Sequence, residues 1–181
     1  IIQSIKDINL KKIKKVNKFI IIYRNNGVNE NFDDVKKFRM LCKLRLIDFY
    51  VANDFRLCAL LKSDGIYLSS HNKSLKALYF KTKQFKIIGS AHNYREINLK
   101  ITQGCDYILL SKLFLVSYNA SSKFMGVIKF NNYINNISKK IVPLGGIKIS
   151  NLNSLKNINT ESFAVLSAIK KKPVNIINRL F

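Results

Sequence analysis

Residues 48–70, DFYVANDFRLCALLKSDGIYLSS, carry two apolar runs, Asp48–Val51 and Gly65–Leu68, with a helix-like stretch between them. Leu57, Leu60 and Leu61 form the apolar stripe of that stretch, and polar residues close each run. The pattern repeats along the chain. Further runs occur at Phe19–Tyr23, Ile87–Gly89, Tyr107–Leu110, Ile141–Leu144 and Phe163–Leu166, with start-to-start spacings of 29, 17, 22, 20, 34 and 22 residues in chain order. Other intervening stripes are Phe38, Leu41, Cys42 and Leu46, then Leu75, Leu78 and Tyr79. The runs are nearly all apolar instead of alternating, as in strands covered on both faces. Strand and helix in alternation predict an α/β fold with a parallel sheet. No GxGxxG or Walker pattern follows any run, which argues against an open doubly wound sheet. The expected architecture is a (β/α)8 TIM barrel in one domain over residues 1–181, its first strand lying immediately upstream of Ile1.

Composition narrows the function. The chain has 181 residues, 48% hydrophobic and 23% charged, ordinary for a globular domain with a real core. Its longest aliphatic-aromatic run, Phe19–Tyr23, is far short of the ~20 residues a membrane helix needs. Cys42, Cys58 and Cys105 form no CxxC pair and read as buried thiols in a reducing cytoplasm. The net charge of +22 comes from 26 Lys and only 6 Arg, beside 21 Asn, and the lysines are spread along the chain. That pattern fits compositional drift and argues against a base-reading nucleic-acid protein, which leans on Arg. It also draws phosphorylated small molecules toward the surface. Ile2, Ile5, Ile13 and Val16 stand at helical spacing among lysines and predict an amphipathic surface helix over Ile1–Lys18.

In a barrel of this kind the chemistry sits at the carboxyl ends of the strands. Arg24, Asn25 and Asn26 follow the first run, Asn53 and Asp54 the second, and Ser69, Ser70, His71 and Asn72 the third. Ser90, Ala91 and His92 come next, then Ser111 and Lys112, then Gly145 and Gly146, and finally Ser167 and Ala168. The two glycines and the Ser-Ala pair allow backbone N–H groups to approach a phosphate closely. A substitution Gly146→Asp is therefore expected to abolish phosphate binding. Asp54 reads either as a magnesium–phosphate ligand or as the cap of the following helix. As a lone histidine after a run, His92 reads as a loop or helix-cap residue.

Seven segments, IIIYRNN (20–26), FYVANDF (49–55), SDGIYLSS (63–70), IIGSAHNYREI (87–97), GCDYILLSKLF (104–114), VPLGGIKISNL (142–152) and SFAVLSAI (162–169), carry a resemblance to the thiamine phosphate synthase/TenI superfamily of (β/α)8 barrels. The resemblance implies coupling of a hydroxymethylpyrimidine pyrophosphate to a thiazole phosphate, with pyrophosphate leaving as a pyrimidine cation forms. It implies that Arg24, Asn26, Asn53 and Ser90 grip pyrophosphate, and that Asp54 and Asn72 stand at the magnesium positions. It also implies that Gly145, Gly146, Ser167 and Ala168 cradle the thiazole phosphate, and that His92 and Ser90 are the catalytic groups.

The chain departs from the family at telling places. Asn26 replaces a lysine and Asn72 the second magnesium aspartate, while Ser69-Ser70 replaces a Gly-Gln pair. Leu115-Val116-Ser117-Tyr118 replaces a Pro-Thr-x-Thr/Ser stretch, and the lysine after it falls near Asn119, with Lys112 or Lys123 as substitutes. Losing one preorganised group at such a site costs on the order of 10²–10³ in rate. The expected function is accordingly a synthase with a degenerate pyrophosphate site. The alternatives are a TenI-like thiazole phosphate tautomerase or non-catalytic binder, in which His92 moves the proton without a metal, and a basic polyanion binder on a barrel scaffold. The remaining expectations are a cytoplasmic protein that can form a homo-oligomer and has no membrane partner.

Overall fold

The computed structural model describes residues 1–12, 19–25, 27, 29–81, 84–116 and 123–166. They pack as two compact units, one built on Ile1–Tyr67 and the segment ending at Lys86, the other on Leu68–Lys81 and Ile87–Val165. In the first, β1 (Ile20–Tyr23), α1 (Phe32–Leu44), β2 (Asp48–Ala52), α2 (Phe55–Leu60) and β3 (Gly65–Leu68) alternate, and Leu68 passes into the second unit. Ile20 pairs with Asp48 and Tyr50 with Gly65, so β1, β2 and β3 run parallel in chain order. All four β3 residues are buried, as a strand covered on both faces requires. Asn31 starts α1 by accepting from Asp33 N at 2.9 Å, and Asp33 and Asp34 suit the positive end of the helix dipole. Val35, Phe38, Arg39 and Cys42 form its buried face.

The second unit holds α3 (Ala77–Phe80), β4 (Lys86–Ala91, from Ile87 on), α4 (Tyr94–Thr102), β5 (Tyr107–Ser111), α5 (Gly126–Ile134) and β6 (Lys140–Leu144), followed by a 3-10 helix over Ile149–Asn157. Ile88 pairs with Tyr107 and Tyr107 with Lys140, so β4, β5 and β6 are again parallel and in chain order. Cys42, Cys58 and Cys105 are buried free thiols as expected, and burial pushes Cys42 and Cys105 up to about 12.

Several expectations need correction. The described residues contain six parallel strands, so the α/β class stands but an eight-stranded barrel is more than they hold. The seventh expected strand, Phe163–Leu166, is reduced to one parallel bridge between Leu144 and Ala164. Over its described residues 1–12 the N-terminal stretch is not one amphipathic helix, and Ile13 and Val16 of the expected stripe lie outside the described residues. Ile2 makes a parallel bridge to Tyr23, and 3-10 turns follow at Ile5–Asp7 and Leu10–Lys12. Ser4 and Asp7 close a capping box there, and Glu30 accepts from Ser4 Oγ and Ile5 N, which fixes the turn where a helix would have continued. Leu41, Leu46, Leu60, Leu75, Leu78 and Tyr79 are exposed. Phe38, Cys42 and Leu61 of the expected stripes are buried, while in α1 Arg39 also turns inward, to Asp64, and in α2 and α3 the small Cys58 and Ala77 take buried positions.

Two aspartates at the amino ends of strands repeat one device. Asp64 Oδ2 accepts from Phe49 N at 2.8 Å while Asp64 N donates to Phe49 O at 3.0 Å. Asp106 Oδ2 accepts from Ile87 N at 2.8 Å while Asp106 N donates to Ile87 O at 2.7 Å. Each carboxylate also meets a cation, Arg39 at 2.8 Å for Asp64 and Lys81 at 3.5 Å for Asp106. Arg39 is 6% exposed and its Nη1 has no hydrogen-bond partner among the described residues, so Asp64 supplies its compensating charge. Breaking a buried pair by removing one partner costs about 3–5 kcal/mol. Asp64→Ala is expected to approach that loss, and the more exposed Asp106→Ala to cost less, both read by urea unfolding.

Candidate functional site

The carboxyl ends of β1 and β2 present the first group of polar residues. Arg24 is half-buried and its backbone N donates to Ile2 O at 2.9 Å. Asn53 sits at φ 58° in the left-handed region, which asparagine tolerates better than most residues. Its N donates to Tyr67 O at 2.8 Å, which fixes the turn out of β2. Asp54 Oδ1 accepts from Leu57 N at 2.8 Å and so caps α2. The cap reading of Asp54 is therefore realised. Asn26 lies outside the described residues.

In the second unit the loop after β3 carries Ser69, Ser70, His71 and Asn72. Asn72 Oδ1 accepts from Ser74 N at 2.9 Å, an Asx-type turn. Beneath this loop lies a lysine that sequence reading missed. Lys100 is completely buried, and its ammonium donates to Ser69 O, Asn72 O and Gln103 Oε1, each at 2.8 Å. Gln103 Nε2 donates to Asn72 O at 3.0 Å and to Ser74 O at 2.8 Å. Burial lowers the Lys100 pKa, partly countered by Cys105 and Glu96. The one sequence signal for this lysine is Gly89. A Cβ there would lie 2.8 Å from Lys100 Cδ, so the missing side chain makes room for the lysine stem.

Ser90 and Ala91 belong to β4 and not to the loop beyond it, and Ser90 is only 6% exposed. His92 is exposed at the strand end and lies against Glu96. Glu96 Oε2 accepts from His92 N at 2.8 Å and lies 2.9 Å from Nδ1. Asn93 caps α4 by accepting from Glu96 N at 2.9 Å, and its Nδ2 donates to Glu96 Oε1 at 3.1 Å. Burial alone would raise the Glu96 carboxyl, but the hydrogen bonds from His92 and Asn93 outweigh it and hold it below its usual range. With Nδ1 turned to Glu96, the arrangement orients the imidazole as a base–orienter pair does, leaving Nε2 for a proton. Asn93 and not His92 is the N-cap of α4, and the His92 backbone bond to Glu96 steadies the turn before the helix.

At the end of β6, Gly145 and Gly146 have φ 97° and 69°, open to glycine without strain. Phe114 N donates to Gly145 O at 3.0 Å and Leu113 N to Leu144 O at 2.9 Å, so the segment after β5 lies along the turn. A Cβ on Gly146 would stand 2.3 Å from Phe114 O, and one on Gly145 3.3 Å from Lys112 Cβ. Asn151 Nδ2 donates to Gly146 O at 2.9 Å and Asn151 Oδ1 accepts from Lys148 N at 2.8 Å, pinning the turn to the following 3-10 helix. The Gly146→Asp test therefore breaks the turn before it probes a ligand. Ser167, Ala168, Ser117 and Asn119 lie outside the described residues. Lys123 is exposed, whereas Lys112 is half-buried beside Gly145.

The magnesium expectation meets a poor donor set. Asp54 spends one oxygen on its cap, and Asn72 offers a neutral amide oxygen already bonded to Ser74 N. Magnesium favours one or two carboxylates with phosphate oxygens, and a second carboxylate is missing from this pair. Among the described residues, no three His, Cys, Asp or Glu side chains gather into a metal-binding group. No helix of the described residues is long and apolar enough to cross a membrane.

The model of the family described as thiamine monophosphate synthase matches residues 9–169. The chain is 29% identical over 145 residues to the thiamine-phosphate synthase of Bacillus mycoides, covering 77% of this chain and 65% of that protein. It is 26% identical over 148 residues to that of Prochlorococcus marinus subsp. pastoris, covering 81% and 42%. The chain thus spans less than two-thirds of the length of these relatives. In structure it is similar to the thiamine phosphate pyrophosphorylase from Pyrococcus furiosus, with TM-score 0.74 and 14% identity over 98% of this chain and 91% of that one. That likeness is one of fold.

Two outcomes follow from this geometry. Gly146→Ala is expected to cost roughly 3 kcal/mol or more, from the clash with Phe114 and the left-handed backbone, read by urea unfolding. Glu96 contributes stability that is full above the ordinary glutamate pKa of about 4.3 and is lost as pH falls toward its depressed folded value. The stability of Glu96→Gln is expected to vary less with pH below that range, and an unchanged acid limb would contradict the pairing.

Proposed function

The chain belongs to the thiamine monophosphate synthase family, and on that premise we propose that it is a thiamine phosphate synthase-like protein with a weakened pyrophosphate half. The observation that carries this reading is the Gly145–Gly146 turn, whose left-handed glycines seat closely on the Phe114 backbone. Such a turn at a strand's carboxyl end offers backbone N–H groups to a phosphate. In this reading Gly145, Gly146, Ser167 and Ala168 take the phosphate of the thiazole, and Lys112, beside Gly145, supplies the cation. Arg24, Asn26, Asn53 and Ser90 are assigned to pyrophosphate. The reaction breaks the bond between the pyrimidine methylene carbon and a pyrophosphate oxygen, and the thiazole adds to the resulting cation. Because Asn72 brings no charge, Asp54 alone would hold a magnesium ion poorly, and no step of this reading depends on one.

A second reading is favoured by one specific observation, the His92–Glu96 pair. An imidazole oriented by a carboxylate can move a proton on a bound thiazole phosphate without a metal, as in the TenI branch. The buried thiols support a cytoplasmic setting, and the predominance of lysine over arginine supports small phosphorylated ligands over nucleic acid. A homo-oligomer fits the proposal equally well as a monomer.

Calorimetry with thiazole phosphate, then with hydroxymethylpyrimidine pyrophosphate with and without magnesium, tests the proposal. The expected outcome is tight binding of the first and weak binding of the second, with slow pyrophosphate release when both are present. Lys112→Ala is expected to weaken thiazole phosphate about tenfold, the size of one charge-assisted contact of roughly 1.4 kcal/mol. If His92→Ala abolishes isomerisation while pyrophosphate release is undetectable in wild type, the TenI-like reading replaces the first. Absence of any thiazole phosphate binding overturns both.

A further inference from the structure

Lys100 is a buried cation with no ion pair among the described residues, and Glu96, one turn back on α4, acts on it only from beyond that distance. Its three N–H groups are spent on Ser69 O, Asn72 O and Gln103 Oε1, all uncharged, and among the described residues no carboxylate lies within ion-pair distance of it. A charge buried this way is costly unless fully hydrogen-bonded, and the structure meets that condition completely. Two further features show a built arrangement. Gly89 leaves the space that the lysine stem fills, and Gln103, with no exposed surface, ties the same loop through Asn72 O and Ser74 O. The loop so held is the one in which Asn72 replaces a carboxylate. A carboxylate with a divalent cation and a neutral amide above a fixed ammonium both leave net positive charge for an anion.

We infer that Lys100 and Gln103 are positioning residues that set the Ser69–Ser74 loop, and that the Lys100 ammonium supplies the positive charge with which this loop takes a pyrophosphate group without a divalent cation. The inference deepens the proposed function and rests on its assignment of pyrophosphate to the chain. Lys100 does not touch the ligand, because all three of its donors are occupied. Its influence runs through the loop carbonyls it orders and through a charge that the low-dielectric interior screens poorly.

The test is calorimetric titration of the full chain with inorganic pyrophosphate, in EDTA and in magnesium, beside a titration with thiazole phosphate. Wild type is expected to bind pyrophosphate with affinities within about twofold in the two buffers. Lys100→Met, which keeps the stem and removes the charge, is expected to lose at least about tenfold in pyrophosphate affinity while thiazole phosphate affinity changes less than about twofold, one decade being about 1.4 kcal/mol. Should Lys100→Met fail to unfold cooperatively, Gln103→Leu keeps the ammonium while removing its Oε1 acceptor and both Gln103 bonds to the loop. That variant is expected to lose several-fold in pyrophosphate affinity, with faster hydrogen exchange at the Ser74 amide. Pyrophosphate binding that requires magnesium, or folded variants that bind it as wild type does, overturns the inference. If wild type binds pyrophosphate but not thiazole phosphate, the proposed function fails while this inference is still decided by the variants.

Discussion

The carboxylates of Asp64 and Asp106 set the register on which the strands are built. Each stands just before a parallel strand and bonds the amide near the start of the preceding one, Phe49 for Asp64 and Ile87 for Asp106. A parallel ladder leaves unpaired donors at its amino end, and an aspartate there satisfies one while its own backbone N–H closes the ring. Arg39 and Lys81 then balance the charge from the helical side. With the amino ends fixed, the carboxyl ends are free to carry loops of special conformation, including Asn53 and the two glycines after β6.

At the amino ends, acids collect backbone N–H groups and pair with cations. Beneath the loop after β3, a cation collects carbonyls and makes no ion pair among the described residues. Much of the net charge of +22 sits on exposed lysines, where salt screens it. A single ammonium beneath a loop that bears serines and an asparagine is poorly screened and fixed in place.

The family relationship and the details of the site pull in different directions. The glycine turn, the Asp54 cap and the His92–Glu96 pair are well formed, and each has a structural duty besides any chemistry. The dual duty explains why substitutions at Gly146 and at His92 report on folding as well as on any ligand.

The strands were legible in the sequence because buried parallel strands are written as continuous apolar runs, and Gly65–Leu68 was read to the residue. The glycine pair and Asp54 were legible for the same local reason, since turn and cap chemistry acts over a few residues. The α1 stripe was read correctly at Phe38 and Cys42, but it missed Arg39, polar in any hydropathy pattern and bonded inward to Asp64, a residue 25 positions away. Ser90 was placed in a loop because β4 runs on through Ala91, its length set by pairing with β5. Lys100 was invisible for the same reason. Nothing near it in the chain distinguishes it from the other lysines, and only tertiary packing brings the carbonyls of Ser69 and Asn72, 31 and 28 residues away, onto its ammonium. Local composition therefore determined the elements and their order, while long-range hydrogen bonding decided which polar residues were buried and what they hold.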